Sequence, residues 1–377
     1  MRWFDHCRFG MMFVGYVAAI VLGGANAKAD FIFGEPVNLG QTVNSPVADY
    51  PSCLSADGLE LYLASDRSGG HGRWDIWVAK RETTHDDWGI PMNLGPKVNS
   101  PTMDVEASVS VDGLELYFSS NNRAGGHGGS DIWVSRRQTK DGDWGDAVNL
   151  GPIVNSSSGD AAPWISTGGL ELYFDSDRPD GFGSWDIWVS RRPTKDDPWG
   201  EPTNLGPLVN SSDDTGYPSV SSDGLLLLCS DTDTTRLHPG GFGSSDIWMS
   251  KRKTIADSWG EPVNLGPVVN GSRGDGLGRI SPDGRTLYLC RPGPTYTGGT
   301  RSDIWQAPII PIVDFNGDGN IDTSDLVMLI DSWGTDDTLY DTGPMPWGDG
   351  IVDIEDLKVF MEHWEKENMP QDQENDQ

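Results

Sequence analysis

The tripeptide Asp-Ile-Trp returns five times, at Asp75, Asp131, Asp186, Asp246 and Asp303. A second marker, Asn-Leu-Gly, keeps step with it at Asn38, Asn93, Asn149, Asn204 and Asn264. A period of 55 to 60 residues confines the chain to repeat architectures, in which each unit buries its apolar face only against its neighbours.

Each unit carries four strand signals. In the second unit the first covers 106–110 and ends at the turn dipeptide Asp112-Gly113. Leu114-Glu-Leu-Tyr-Phe-Ser then alternates in period two with β-favouring residues. A Gly-rich loop over 123–129 leads to Asp131-Ile-Trp-Val-Ser, and a polar loop leads to a fourth strand over 144–150. Four strands on hairpin-length loops, repeated radially, describe propeller blades. Residues 34–40 read as a fourth strand with no three before it, and the last unit stops at Asp303-Ile-Trp with no fourth after it. The expected fold is therefore all-β, a five-bladed β-propeller of four-stranded blades over 34–309. Its N-terminal strand closes the ring and leaves no open sheet edge.

With 57 acidic against 27 basic residues the chain carries a formal charge of −30, which argues against nucleic acid and anionic membrane surfaces as partners. Residues 1–29 read as a signal peptide, with Arg2 and Arg8, an apolar run over 11–22 and the small-x-small site Ala25-Asn26-Ala27. No later run reaches about 18 apolar residues, so the mature chain is expected to be exported and soluble, periplasmic or secreted. Cys53, Cys229 and Cys290 fall within strand patterns and read as small buried apolar residues.

The phrases Ser-Ala-Asp-Gly-Leu-Glu-Leu-Tyr-Leu-Ala-Ser-Asp-Arg at 55–67 and Asp-Ile-Trp-Val-Ser-Arg-Arg at 186–192 resemble the WD40-like, or PD40, repeat of TolB-type propellers. The resemblance covers all five units. It implies the propeller fold and a protein-binding platform, whose partner the fold does not name. TolB itself has a sixth blade and a separate N-terminal domain, and this chain has neither.

Residues 310–365 change character after the short linker Pro308-Ile-Ile-Pro-Ile. Asp314, Asn316, Asp318, the carbonyl of Asn320, Asp322 and Asp325 stand at positions 1, 3, 5, 7, 9 and 12 of a calcium loop, with Gly319 at the sharp turn. Hard oxygen ligands at this spacing suit Ca2+. A helix follows, with Leu326, Leu329, Ile330 and Trp333 on one face. The pattern returns 31 residues later. Asp349, the carbonyl of Ile351, Asp353 and Asp356 match the later loop positions, and Leu357, Phe360, Met361 and Trp364 match the helix face. Met345 and Trp347 stand at positions 1 and 3 and cannot ligate; either this site is weak or Asp341 reaches in through a longer loop. Two such units resemble a type I dockerin, a small EF-hand-like domain, and the resemblance implies Ca2+-dependent docking to a cohesin-like partner. Thr323-Ser324 stand where cellulosomal dockerins carry their recognition pair; Ile354-Glu355 depart from it. The polar, acidic residues 366–377 read as a disordered tail.

If the first strand of each blade is innermost, the loop after each Val-Asn and the Gly-rich loop share one face, the binding face. Asp49, Asp104, Asp160 and Asp275 recur there, with Thr215 in the fourth unit and Asp214 beside it. They ring the mouth for a cation or sugar hydroxyls, or each caps its own turn. His71, His127, Phe182 and Phe242 occupy matching places in the Gly-rich loops, as stacking platforms for a glycan, as histidine ligands, or as rings packing the loops down. Glu106 is the singular carboxylate, with Asp104 or Asp214 as partner.

Two functions follow. One is a non-catalytic exported binding or scaffold protein with a glycan or protein ligand at the mouth and a calcium module for docking. The other is a dockerin-bearing glycoside hydrolase or polysaccharide lyase, which needs carboxylates converging in the funnel. The acidic residues follow the repeat, and that favours binding.

Overall fold

The computed structural model describes residues 31–231, 240–272, 274–293, 301–337, 339–343, 348 and 350–368. Residues 1–30, where a signal peptide is expected, and the residues beyond 368 lie outside the described residues. Five antiparallel sheets follow one another in chain order. Blade 1 is Asp49–Leu54, Glu60–Ser65, Asp75–Lys80 and Met92–Asn93. Blade 2 is Met103–Val109, Glu115–Asn121, Ser130–Arg136 and Val148–Asn149. Blade 3 is Asp160–Ile165, Glu171–Ser176, Asp186–Arg191 and Thr203–Asn204. Blade 4 is Thr215–Val220, Leu226–Asp231, Ile247–Lys251 and Val263–Asn264. Blade 5 takes Gly276–Ile280, Thr286–Pro292 and Ser302–Pro311 from one end of the chain and Val37–Asn38 from the other.

That last pairing, Val37 with Gln306 and Asn38 with Trp305, is the expected ring closure. A second closing strand, Phe31–Phe33, was not expected. It pairs with Ile309–Pro311, so the segment read as a linker is the far end of a strand. The reason is burial. Phe31, Phe33 and Ile309 pack with Leu226, Met249 and Leu287 into the slab between blades 4 and 5.

Every other blade boundary holds a similar slab. Tyr62, Ile76 and Val78 of blade 1, for example, meet Val109, Leu116 and Phe118 of blade 2. A fully buried side chain of this size contributes about 1.5–3 kcal/mol. The three cysteines are buried and form no disulfide, Cys53 and Cys229 in these slabs and Cys290 beside the channel.

The recurring tripeptides explain themselves as one polar knot per blade. Asp75 accepts from the backbone N–H of His71 and Gly72 and from the Asn93 amide. The Asn93 side-chain oxygen accepts from Gly95 N–H and from Asn99, which in turn bridges the N–H and C=O of Ile76. The knot satisfies the main chain where a short outer strand can make few ladder bonds. At the seam it is assembled from both chain ends: Asn38 bonds Asp303, and Asn44 bridges Ile304. On the opposite face Arg81, Arg137, Arg192 and Arg252 stack on Trp88, Trp144, Trp199 and Trp259 at 4.1 to 4.3 Å. These are the short turns and polar loops assigned to that face.

The C-terminal module has two helices, Thr323–Asp331 and Ile354–Asn368. Its core is Val313, Phe315, Leu329, Val352, Val359 and Phe360. The first helix face is narrower than the sequence pattern implies. Leu329 is buried, but Ile330 and Trp333 are about half exposed, and Trp333 lies past the cap at Ser332. Met361 is also exposed. The last helix runs to Asn368, three residues into the stretch expected as disordered tail. Arg285 of blade 5 and Glu362 of that helix form an ion pair at 2.7 Å. Among the described residues no helix is long and apolar enough to cross a membrane.

Candidate ligand site at the propeller mouth

The Gly-rich loop of each blade packs on the loop entering the next. Arg73 N–H donates to Thr102 O, and Asp104 N–H to Trp74 O. The two loop families thus share a face. The repeated acidic residues on it have partners of their own. Asp49, Asp104, Asp160 and Asp275 cap the turns at Ser45, Ser100, Ser156 and Gly271. They also bind Arg67, Arg123, Arg178 and Arg291 of their own blades. In blade 4 the Thr215 hydroxyl takes the capping role and Asp214 accepts from Trp185 N–H. Glu106 does not pair with Asp104 or Asp214; its hydrogen bonds go to Ser119 and Ala162 N–H.

His71, His127, Phe182 and Phe242 each donate a backbone N–H to the knot aspartate of their loop. Their rings are exposed, Phe182 at 48 % and Phe242 at 46 %. The reading that these rings pack the loops down is therefore corrected: main-chain bonds to Asp75, Asp131, Asp186 and Asp246 hold the loops, and the side chains are left to solvent.

The channel is built differently. Each inner strand carries a bulge near the position two residues after Asp49, Asp104, Asp160, Thr215 or Asp275. Glu106, Ala162, Tyr217 and Leu277 adopt positive φ of 48° to 57° there, and Pro51 stands at the same place in blade 1. A non-glycine residue in this region costs on the order of 1–3 kcal/mol, and such bulges re-aim side chains next to binding sites. It also explains why the blade 2 inner strand begins at Met103 and not at 106: Glu106 is the bulge within it.

Behind three of the bulges a residue of the preceding blade's second strand catches the freed N–H. Ser119 accepts from Ala162 at 2.8 Å, Asp175 from Tyr217 at 3.2 Å and Ser230 from Leu277 at 3.2 Å. Where two blades use a serine hydroxyl, blade 3 uses a carboxyl. Glu106 accepts from the Ser119 hydroxyl and from Ala162 N–H, which fixes its side chain across blades 2 and 3.

Arg279, buried at 2 % exposure, is the hub of the channel. It donates to Ser52 O of blade 1, Tyr217 O of blade 4 and Gly278 O of its own strand, and lies 5.4 Å from the Trp164 ring of blade 3. Above it a cavity of about 560 Å³ opens to the face of the Gly-rich loops. Glu106, Tyr217 and Leu277 lie at its floor, Ser230, Ser244, Ser245 and Ser302 on its wall, and Tyr50 stacked on Trp74 at its rim with centroids 5.2 Å apart. Asp275 also lines the cavity, but through its pair with Arg291.

The electrostatics follow from burial. Desolvation raises the pKa of Glu106, against the pull of Ser119, Ala162 N–H and Arg279. Desolvation and the nearby Glu106 push Asp175 up to about 8, so it holds a proton at neutral pH. Desolvation lowers Arg279 to about 10, which leaves it charged. Cys53 and Cys290 are pushed up to about 12, and Tyr217 well above its ordinary value, by the same burial. All three stay neutral.

Sequence reading reached Glu106 but missed Asp175, Tyr217, Arg279 and Trp164. Aligning the five units exposes them. Asp175 stands where the other blades have Ala64, Ser119, Ser230 and Cys290, and Arg279 where they have Cys53, Ser108, Trp164 and Ser219. The departures from the repeat converge on one channel.

In the C-terminal module the Asp314 carboxylate accepts from the N–H of Gly317, Asp318 and Gly319, and Asp325 from those of Asn316 and Asp322. The second loop repeats this with Asp341, which accepts from Gly350 N–H, and Asp356, which accepts from Thr342, Gly343 and Asp353. Asp341 thus occupies the place of Asp314, four residues earlier than a standard loop allows. Met345, Trp347 and Asp349 lie outside the described residues, while Ile351 and Asp353 are within them. The donors of the first loop are all oxygens, as calcium requires. Among the described residues no group of three or more acidic, His or Cys side chains stands where it could hold a metal ion. The loop carboxylates are instead turned to backbone N–H groups.

Fold and channel together define a five-bladed propeller with a cavity at the mouth of its channel. No protein-family model matches the chain, and no curated protein matches it. Solved structures similar to it include TolB from Acinetobacter baumannii, at 13 % identity and TM-score 0.40 over 68 % of this chain and 53 % of that one. They also include an α-L-arabinofuranosidase from Lactobacillus brevis, at 14 % identity and TM-score 0.45 over 71 % and 92 %. A family 43 endo-arabinanase from Bacillus licheniformis is similar at 16 % identity and TM-score 0.44, over 68 % and 94 %. The chain thus spans about half the length of that TolB.

Proposed function

We propose that this chain is an exported, non-catalytic propeller whose mouth binds a polysaccharide, with a calcium-dependent C-terminal module as its docking or bracing element. One observation carries the reading: among the described residues that line the mouth, Glu106 is the carboxylate with no direct ion pair, and Tyr50, Trp74 and several serine hydroxyls line the same cavity. Flat rings stack on sugar faces, and hydroxyls and a carboxylate match their rims. In the module, Asp314, Asn316, Asp318, the Asn320 carbonyl, Asp322 and Asp325 would hold the first Ca2+. Asp341, Asp349, the Ile351 carbonyl, Asp353 and Asp356 would hold a second. Calcium supplies the charge that gathers these carboxylates into one site. A cohesin-like protein is the partner this module fits, and Thr323-Ser324 lie exposed at the start of its first helix.

Hydrolysis needs two carboxyl groups flanking a glycosidic bond. Asp175 is buried behind the wall and Asp275 is held by Arg291, which favours binding over cleavage. A second reading, glycoside hydrolase or lyase, draws on the raised pKa of Glu106, the property of a general acid. An array of plant and algal polysaccharides, scored with and without calcium for binding and for released reducing sugar, separates the two. Binding without product supports the platform; product abolished by Glu106→Gln makes this an enzyme.

A further inference from the structure

The face opposite the mouth holds a second break in the repeat. Four blades turn from first to second strand at an aspartate, Asp57, Asp112, Asp223 and Asp283, and blade 3 has Gly168 there. Two of these carboxylates are answered by the following blade: Lys140 reaches Asp57 at 3.1 Å and Lys195 reaches Asp112 at 3.2 Å. The next rung of this ladder would join residues 255 and 168. Both members change there together, to Ile255, 68 % exposed, and Gly168. Blade 1 has Thr84 in place of the lysine, and the third strand of blade 5 runs on to Pro311 without such a loop. Asp223 and Asp283 therefore hold only their own turns, accepting from the hydroxyls of Ser221 and Ser281 and from the N–H of Leu225 and Arg285. Among the described residues neither has an ion pair.

Between these turns the channel ends in a cavity of about 210 Å³. Each blade gives it an apolar residue from the end of its first strand, Leu54, Val109, Ile165, Val220 and Ile280, with Trp164 among them. Trp164 spends its indole N–H on Val220 O, and no charged side chain among the described residues lines the cavity. Ser222 stands on its wall, and Ile255 lies beside Gly224 of the same turn, so the exposed isoleucine continues the rim. Around the cavity the face is acidic. The polar loops add Glu82, Asp141, Asp196 and Asp257, while their arginines stack inward on tryptophans and Arg285 is held by Glu362. Lys253 and His85 remain against them. Of the undescribed segments, 232–239 and 294–300 join second to third strands at the mouth end of their blades, and the residues beyond 368 contain no lysine or arginine.

We propose that this face docks a protein segment whose apolar side chain enters the channel end while flanking lysines or arginines pair with Asp223 and Asp283. The chain itself displays the pairing chemistry, in Lys140 on Asp57 and Lys195 on Asp112. The turns of blades 4 and 5 approach each other, Ser222 Oγ lying 3.5 Å from Pro282 O, so both carboxylates border the same side of the cavity. An apolar anchor in a pocket with complementary charges at its rim supplies affinity from the first and orientation from the second. The surface is separate from the mouth, and the inference does not depend on a glycan binding there.

Calorimetric titration of the mature chain, begun at Lys28, with three end-blocked peptides tests it: Lys-Gly-Phe-Gly-Lys, Lys-Gly-Gly-Gly-Lys and Glu-Gly-Phe-Gly-Glu. The first is expected to bind at least about tenfold more tightly than either other, and to weaken several-fold between roughly 0.05 and 0.5 M NaCl. The double variant Gly168→Asp/Ile255→Lys rebuilds the missing rung, and residue 168 has open space for a side chain. It should cut the affinity by about tenfold, as should Asp223→Asn/Asp283→Asn, which keeps the turn caps, each with a Tm close to the parent's. Equal binding of the three peptides, binding of none, or an affinity unmoved in both double variants overturns the inference. Tighter binding in Lys28→Ala or Lys366→Ala puts a segment of this chain on the face and overturns it as well.

Discussion

Asp175 costs this fold stability wherever the unfolded chain is ionised and the folded one is not. Its folded pKa, about 8, lies above the ordinary carboxyl value near 4, so folding takes up a proton between those limits. Stability contributed by this group is therefore present below about pH 4 and is lost progressively up to about pH 8. Asp175→Asn is expected to flatten that slope and raise the Tm above neutral pH, read by thermal melts across pH 4–9; an unchanged slope would contradict the assignment. Gly216 is tied to the same carboxyl, because a Cβ there would overlap Asp175 Oδ2. Gly216→Ala should lower the Tm, and Asp175→Ala should relieve part of that loss. These residues are not legible in the sequence, where the acids that stand out are the ones that recur. The recurring ones turned out to cap turns and bind arginines. Glu106 was legible because it was singular, and the same test applied to every aligned position reaches Asp175 and Arg279.

At the scale of the element, the knots made the fold readable. Asp-Ile-Trp and Asn-Leu-Gly recur because each blade needs the same answer to the same unsatisfied main chain. The period, the four strands and the closing strand were all written in that repetition. Phe31–Phe33 was not, since three residues ahead of the first repeat carry no period and only the slab at blade 5 gives them a partner. The seam makes a prediction. Asn44→Ala leaves the N–H of buried Ile304 without an acceptor, which costs about 1–3 kcal/mol, while the Ile304 C=O keeps its bond from Leu39 N–H. Denaturant titration should show the loss at Asn44 to be at least as large as at Asn99, which does the same for Ile76 within the continuous chain. A negligible effect at Asn44 would mean the seam is not held this way.

The whole molecule couples a rigid ring to a small module through one long strand and the Arg285–Glu362 pair. Chelation should lower the melting temperature of the module while the propeller transition stays in place, as two resolved steps in calorimetry. Asp314→Ala should mimic it, and Asp341→Ala should do so in part if the longer second loop takes up calcium. A single transition unmoved by chelator would remove calcium from the account.

The central claim is that function lies where the repeat breaks. Its most direct test compares the affinity of the best-binding glycan for Glu106→Gln and Tyr217→Phe with that for His71→Ala, His127→Ala, Phe182→Ala and Phe242→Ala. The account predicts a loss of about tenfold or more for Glu106→Gln, a smaller loss for Tyr217→Phe, and little change in the four exposed loop variants. Binding that survives Glu106→Gln but disappears with the loop rings would place the site on the repeated surface and contradict it.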